Sequence, residues 1–211
     1  MYKGLEPNGG VCMRRFEYGW LQSLSWDMDI LSLIAGIYRA NGKEEVLLSQ
    51  SPAILDSLVE LAKVQSTEAS NAIEGIVTTS TRLRQLVADK TTPRNRDEQE
   101  IMGYRDALNV IHESYDSISL CGNHILQLHK ILYNYQFNAR GGQLKSVQNY
   151  ISVTYPDGRT EVLFTPLAPY ETAEALDQIC AEYNRVVGNG EVEPLLAIPI
   201  FIHDFLCIHP F

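Results

Sequence analysis

Apolar residues recur at helical spacing through most of the chain. Trp26, Ile30, Leu33, Ile34 and Ile37 fall on one stripe, which predicts a helix capped by Ser25, running through Arg39 and closed by Gly42. Ser51-Pro52 is a cap followed by proline at a first helical position, and the helix it opens carries Ile54, Leu58 and Leu61 towards Ile73. Thr79 or Ser80 starts a short helix with Leu83, Leu86 and Val87. Thr91-Thr92-Pro93 then breaks the pattern, so the chain divides into an N-terminal helical part, 1–92, and a core, 93–211.

In the core, Ile101, Tyr104, Leu108 and Ile111 predict a helix over Asp97–Tyr115, and Ile125, Leu128 and Leu132 one over Ser119–Tyr133. The period then shortens. Val147–Thr154 and Val162–Thr165 flank Tyr155-Pro156-Asp157-Gly158, a turn sequence, and predict a β-hairpin. Helix returns over Glu171–Val187, ahead of Gly188-Asn189-Gly190. Glu193–Ile208 is apolar nearly all round and reads as a buried helix, with Pro199 requiring a kink or a late start. The expected class is all-α with one β-hairpin.

Composition narrows the function. Seventeen basic and 26 acidic residues give a net charge of -9, which offers no electrostatic footprint for nucleic acid or an anionic membrane. The small basic clusters, Met13-Arg14-Arg15 and those between Arg82 and Arg96, fit solvated helix faces. The four cysteines, at 12, 121, 180 and 207, form no Cys-x-x-Cys pair and no zinc spacing. No signal peptide is visible, and the longest apolar run, Leu195–Ile202, is too short to span a bilayer. A reduced, cytoplasmic protein is the expectation.

The chemistry concentrates at two places. Pro210 disfavours helical geometry at His209, so the helix must release the chain there and present an imidazole at a helix-to-loop junction. Imidazole is a suitable base near neutral pH, although local sequence alone fits a structural histidine as well. His112, His124 and His129 are scattered and read as structural, and His203 with His209 is not a metal pair. Upstream, Glu74 precedes Gly75, and by itself reads as an exposed glutamate before a helix-ending glycine.

Taken together, these segments resemble the Fic family, enzymes that move nucleotide phosphate groups onto protein hydroxyls. His209-Pro210-Phe211 is similar to the start of the family's catalytic loop, which continues x-(Asp/Glu)-Gly-Asn-Gly-Arg-x-x-Arg. Ser70, Glu74 and Gly75 match its inhibitory motif (Ser/Thr)-x-x-x-Glu-(Gly/Asn). Between them, Gly103-Tyr104-Arg105-Asp106-Ala107-Leu108 looks like the core's Gly-Tyr-x-x-Ala-Leu helix, and Leu128–Leu132 like its Leu-His-x-x-Leu helix. Gly142-Gln143-Leu144-Lys145 resembles the Gly-x-(Phe/Leu)-Arg that leads into the flap hairpin, with Lys145 in place of arginine.

The resemblance implies a Fic-type helical bundle and a protein adenylyltransferase, with ATP as substrate and Mg²⁺ as its metal. His209 would take the proton of a target Ser, Thr or Tyr hydroxyl. The metal ligand, the anion hole and the phosphate-binding arginines would follow Phe211, so the 211-residue chain is expected to be truncated within the loop and nearly inactive. Glu74, in a segment before the core, would pair with the loop's second arginine and withhold it from the γ-phosphate, with Ser70 bonding locally. Ile151, Ser152, Val153 and Thr154 would form the flap edge on which a target protein docks. Self-association is frequent among such relatives, so a homo-oligomer is compatible. Two alternatives remain: a non-catalytic binding or regulatory fragment, and a relative that transfers another phosphate-containing group.

Overall fold

The computed structural model describes residues 16–50, 52–88, 90–137 and 140–211. The cap expected at Ser51, the run Met13-Arg14-Arg15 and Cys12 lie outside the described residues. A 3-10 turn, Gly19–Ser23, precedes α1 (Met28–Gln50) and α2 (Pro52–Ile73). Then come α3 (Ser80–Val87), α4 (Arg96–Ser114), a 3-10 turn at Tyr115–Ser117 and α5 (Gly122–Leu132). Strands β1 (Ile151–Thr154) and β2 (Thr160–Phe164) form the hairpin, followed by α6 (Pro169–Gly188) and α7 (Pro194–Ile208). Among the described residues the expected helical class with one β-hairpin is observed.

Local chemistry explains most boundaries. Thr79 caps α3 by accepting the N–H of Arg82, and Asn95 caps α4 by accepting that of Glu98 at 2.9 Å. The first helix departs from expectation at both ends. Asp27, not Ser25, caps it, taking the Ile30 N–H at 2.8 Å, and the helix runs through Gly42 to Gln50. An interior glycine costs only about 1 kcal/mol, which the helix-forming Lys43, Glu44 and Glu45 that follow can offset.

Three apolar clusters hold the described residues together. Leu83, Leu86 and Val87 of α3 pack on Ile101 and Met102 of α4. Ala175, Leu176, Ile179 and Cys180 of α6 pack on Ile208 of α7, with Ile125 of α5 alongside. Tyr18 and Leu21 reach across to Val186 of α6 and Ala197 of α7. Each fully buried aliphatic side chain contributes roughly 2 kcal/mol of transfer free energy.

Polar contacts tie α3 to α4. The Arg82 guanidinium grips the Glu98 carboxylate through Nε at 2.9 Å and Nη2 at 2.7 Å, and also bonds Thr91 and the Thr92 carbonyl. Arg82, with the Arg94 N–H, holds the Glu98 carboxyl down at about 2 despite burial. Helices α4 and α5 meet at Gly103, where an added Cβ would lie 1.9 Å from the Leu132 carbonyl oxygen.

Several expected faces are not covered. Leu33 of α1 is 68% exposed and Ile54 of α2 62% exposed. Helix α7 is not buried all round: Ile202 and Leu206 are 50% and 59% exposed, while Ala197, Asp204 and Ile208 are buried. An apolar sequence sets which face can be buried, but a neighbour must be present to bury it. Among the described residues, Ala197 is covered by Val186 of α6 with Tyr18 and Leu21, and Ile208 lies in the cluster of α6 with Ile125 and Leu167. Among the described residues no helix is long and apolar enough to cross a membrane.

Candidate functional site

Helix α7 ends on an unusual residue. The His209 N–H still closes a helical bond to the Phe205 carbonyl at 2.9 Å, but its own backbone turns left-handed, with φ 47° and ψ 69°. It is the only non-glycine residue with positive φ among those described. Histidine tolerates this region better than most side chains, and the conformation lets Pro210 leave the helix axis.

The loop before the hairpin clamps this end. Lys145 Nζ donates to the Ile208 carbonyl at 2.7 Å, placing a cation where the helix dipole is negative. Its backbone N–H donates to the Pro210 carbonyl at 2.8 Å. Lysine in place of arginine thus retains contact with the helix end, and burial lowers its pKa from the ordinary lysine value. Asn149 Nδ2 lies 2.7 Å from His209 Nδ1 and 3.0 Å from the Phe211 carbonyl oxygen. The Asn149 Oδ1 accepts from Lys145 Nζ at 3.2 Å.

Phe211 is seated on α5. Its ring stacks on the His129 imidazole, with centroids 3.6 Å apart and planes at 18°. His129 Nδ1 accepts the Gly142 N–H at 3.1 Å, so one imidazole joins α5, the loop and the motif. Burial lowers the His129 pKa, and the accepted bond requires the same unprotonated nitrogen.

The hairpin begins later than expected. Residues 147–150 are not strand: Gln148 donates to the Pro166 carbonyl at 2.9 Å and Asn149 turns to His209. Side-chain contacts there override the β pattern. Ile151, Ser152, Val153 and Thr154 form β1, paired antiparallel with β2, and a bulge at Leu163 shifts the register between Ile151 and Ser152. Gly158, at φ 84°, closes the turn by donating to the Tyr155 carbonyl at 2.9 Å. Val153 alone of the four is half-buried; the others are exposed along the edge.

Ser70, Glu74 and Gly75 lie at the end of α2. Ser70 Oγ is 2.8 Å from the Tyr104 hydroxyl, which Ser66 Oγ also approaches at 3.3 Å. The tyrosine of the Gly-Tyr-x-x-Ala-Leu helix therefore fastens this segment to α4. Gly75 has φ 76° with open space where a Cβ would stand, so conformation rather than room calls for glycine. Its N–H meets the Ala72 carbonyl at 3.0 Å. Glu74 is exposed, and its side chain makes no ion pair or hydrogen bond among the described residues. No interaction joins it to His209.

The structure thus joins His209, Pro210 and Phe211 to three residues that sequence reasoning did not place there. His129 read as structural, Lys145 as a substituted motif residue, and Asn149 as part of a strand. The polar pair Gln148-Asn149 ahead of Ile151 was the available signal. Among the described residues no group of three His, Cys, Asp or Glu side chains converges on a metal position, so no step through Mg²⁺ follows from them.

Residues 119–211, from the start of the α5 segment through the His-Pro-Phe end, match the Fic/DOC family model. The fold is similar to a Fic domain-containing signaling protein from Bacteroides thetaiotaomicron, with TM-score 0.69 and 22% identity, over 83% of this chain and 65% of that one. It is also similar to a Fic family protein from Desulfovibrio desulfuricans G20, with TM-score 0.64 and 19% identity, over 89% of this chain and 54% of that one. The chain therefore spans about two thirds of the first and about half of the second. No curated protein matches it.

Proposed function

We propose that this chain is the Fic-type part of a protein adenylyltransferase, with His209 as its general base. The supporting observation is the clamp on the end of α7. His209 is turned out at a left-handed junction, Pro210 is bonded to Lys145, and Phe211 is stacked on His129. That arrangement fixes an imidazole beside the root of an exposed strand edge, where an extended target segment could lie.

In the reaction, a target hydroxyl oxygen forms a bond to the α-phosphorus of ATP. The bond from that phosphorus to the oxygen bridging the α- and β-phosphates breaks, pyrophosphate leaves, and the hydroxyl proton passes to His209. Phosphate binding and Mg²⁺ would be supplied by the loop residues that follow His-Pro-Phe in this family. Glu74 would restrain the reaction by pairing with a loop arginine. Its exposure, and the absence of a side-chain hydrogen bond or ion pair among the described residues, leave it available for this.

The test uses protein that includes the residues completing the loop. Incubation with ATP labelled at the α-phosphate should label protein, and His209→Ala should reduce labelling by about a hundredfold or more while the fold persists. Undiminished labelling in the variant would remove His209 from the role.

A further inference from the structure

The tautomer of His209 is decided by its neighbours. Asn149 Oδ1 faces the Lys145 ammonium at 3.2 Å, so the amide oxygen must point that way. Its Nδ2 then faces three acceptors: His209 Nδ1 at 2.7 Å, the Phe211 carbonyl at 3.0 Å and the His209 carbonyl at 3.4 Å. Turning the amide over would put NH₂ against an ammonium and oxygen against two carbonyls. Two amide hydrogens serve the two shortest contacts, to Nδ1 and to the Phe211 carbonyl.

His209 Nδ1 also lies 3.1 Å from the Phe211 carbonyl oxygen. A proton on Nδ1 could be donated there, but it would also face the Asn149 N–H across 2.7 Å. The short contact to Asn149 selects the opposite arrangement, with the two acceptors brought together by one shared donor.

We propose that Asn149 is a positioning residue for His209, holding the neutral imidazole with its proton on Nε2 and its single lone pair, at Nδ1, against the Asn149 amide. The consequence for catalysis rests on the reading of His209 as the base. In the resting chain the lone pair that would accept a hydroxyl proton is already in use. Proton transfer to His209 begins only when Asn149 releases Nδ1. Asn149 sits two residues before Ile151, the first residue of β1, so the edge expected to receive a target continues directly into this amide.

The experiment is ¹⁵N NMR of the imidazole nitrogens at alkaline pH in protein extended past Phe211, where the residue-211 oxygen is a peptide carbonyl, with His209→Gln used to assign the signals. The wild type should show a pyridine-like Nδ1 and a pyrrole-like Nε2 at residue 209. Asn149→Asp replaces the donor by an acceptor and should move the proton to Nδ1, exchanging the two shifts. A pyrrole-like Nδ1 in the wild type overturns the proposal, and so does an Asn149→Asp spectrum identical to it. If Asn149→Asp does not fold, the wild-type spectrum decides alone. No nucleotide is involved, so the outcome is separable from the transfer assay. Unchanged transfer by His209→Ala would remove the base yet leave the tautomer result standing.

Discussion

The imidazole of His129 lies flat against the ring of Phe211, with centroids 3.6 Å apart, while its Nδ1 receives the Gly142 N–H. Burial lowers the His129 pKa below the ordinary value of 6.5. The unfolded chain therefore takes up a proton at higher pH than the folded one does. Stability from this group is fully present above about pH 6.5 and declines as the pH falls towards the folded value. His129→Phe keeps an aromatic platform without titrating. Urea unfolding between about pH 7.5 and about pH 5 should show a shallower acid loss in this variant than in the wild type. Parallel slopes would contradict the assignment.

The contact between Gly103 and Leu132 leaves no room for a methyl group. Gly103→Ala gains about 1 kcal/mol of helix propensity but forces α4 and α5 apart. The net expectation is a loss of about 2 kcal/mol by chemical denaturation. A gain would show that the helices do not meet this closely.

Glu98 carries the second pH signature. Its carboxyl titrates at about 2 because Arg82 and the Arg94 N–H bind the charged form. The depressed value means that its contribution is present above the unfolded carboxylate range near pH 4.3 and disappears as pH falls through about 2. Glu98→Gln should lower the melting temperature by several degrees at neutral pH. It should also flatten the acid limb of the curve below about pH 4.5. Thermal melts across that range read both effects.

In protein that includes the complete loop, Glu74→Gly should raise self-labelling by about tenfold or more, since on the proposed reading it would free an arginine for the γ-phosphate. Thermal stability should hardly change, since the side chain is exposed and makes no hydrogen bond or ion pair among the described residues. Equal labelling rates at saturating ATP would remove the inhibitory role and leave His209 untouched.

Local signals read well where local chemistry decides. Thr79 as a cap, the Tyr155–Gly158 turn and the release of the chain at His209 are all present. The signals failed where a local cost is small or where tertiary contacts decide. Gly42 looks like a helix stop but lies within α1, because its cost is small. Val147–Tyr150 looks like strand but is drawn into the clamp by Gln148 and Asn149. The apolar surround of α7 predicts burial, yet Ile202 and Leu206 face outward. The polar pair Gln148-Asn149 was a signal, but local sequence does not reveal the partner of Asn149, which lies 60 residues away in the chain. The resemblance supplied His209 and Phe211, but not what holds them.

The most direct test of the account compares two labels in one assay. Protein carrying the complete loop is incubated with ATP labelled at the α-phosphate or at the γ-phosphate, with and without His209→Ala. The account predicts labelling from the α-phosphate only, reduced about a hundredfold or more by the substitution. Labelling from the γ-phosphate, or α-labelling that survives the loss of His209, would contradict it.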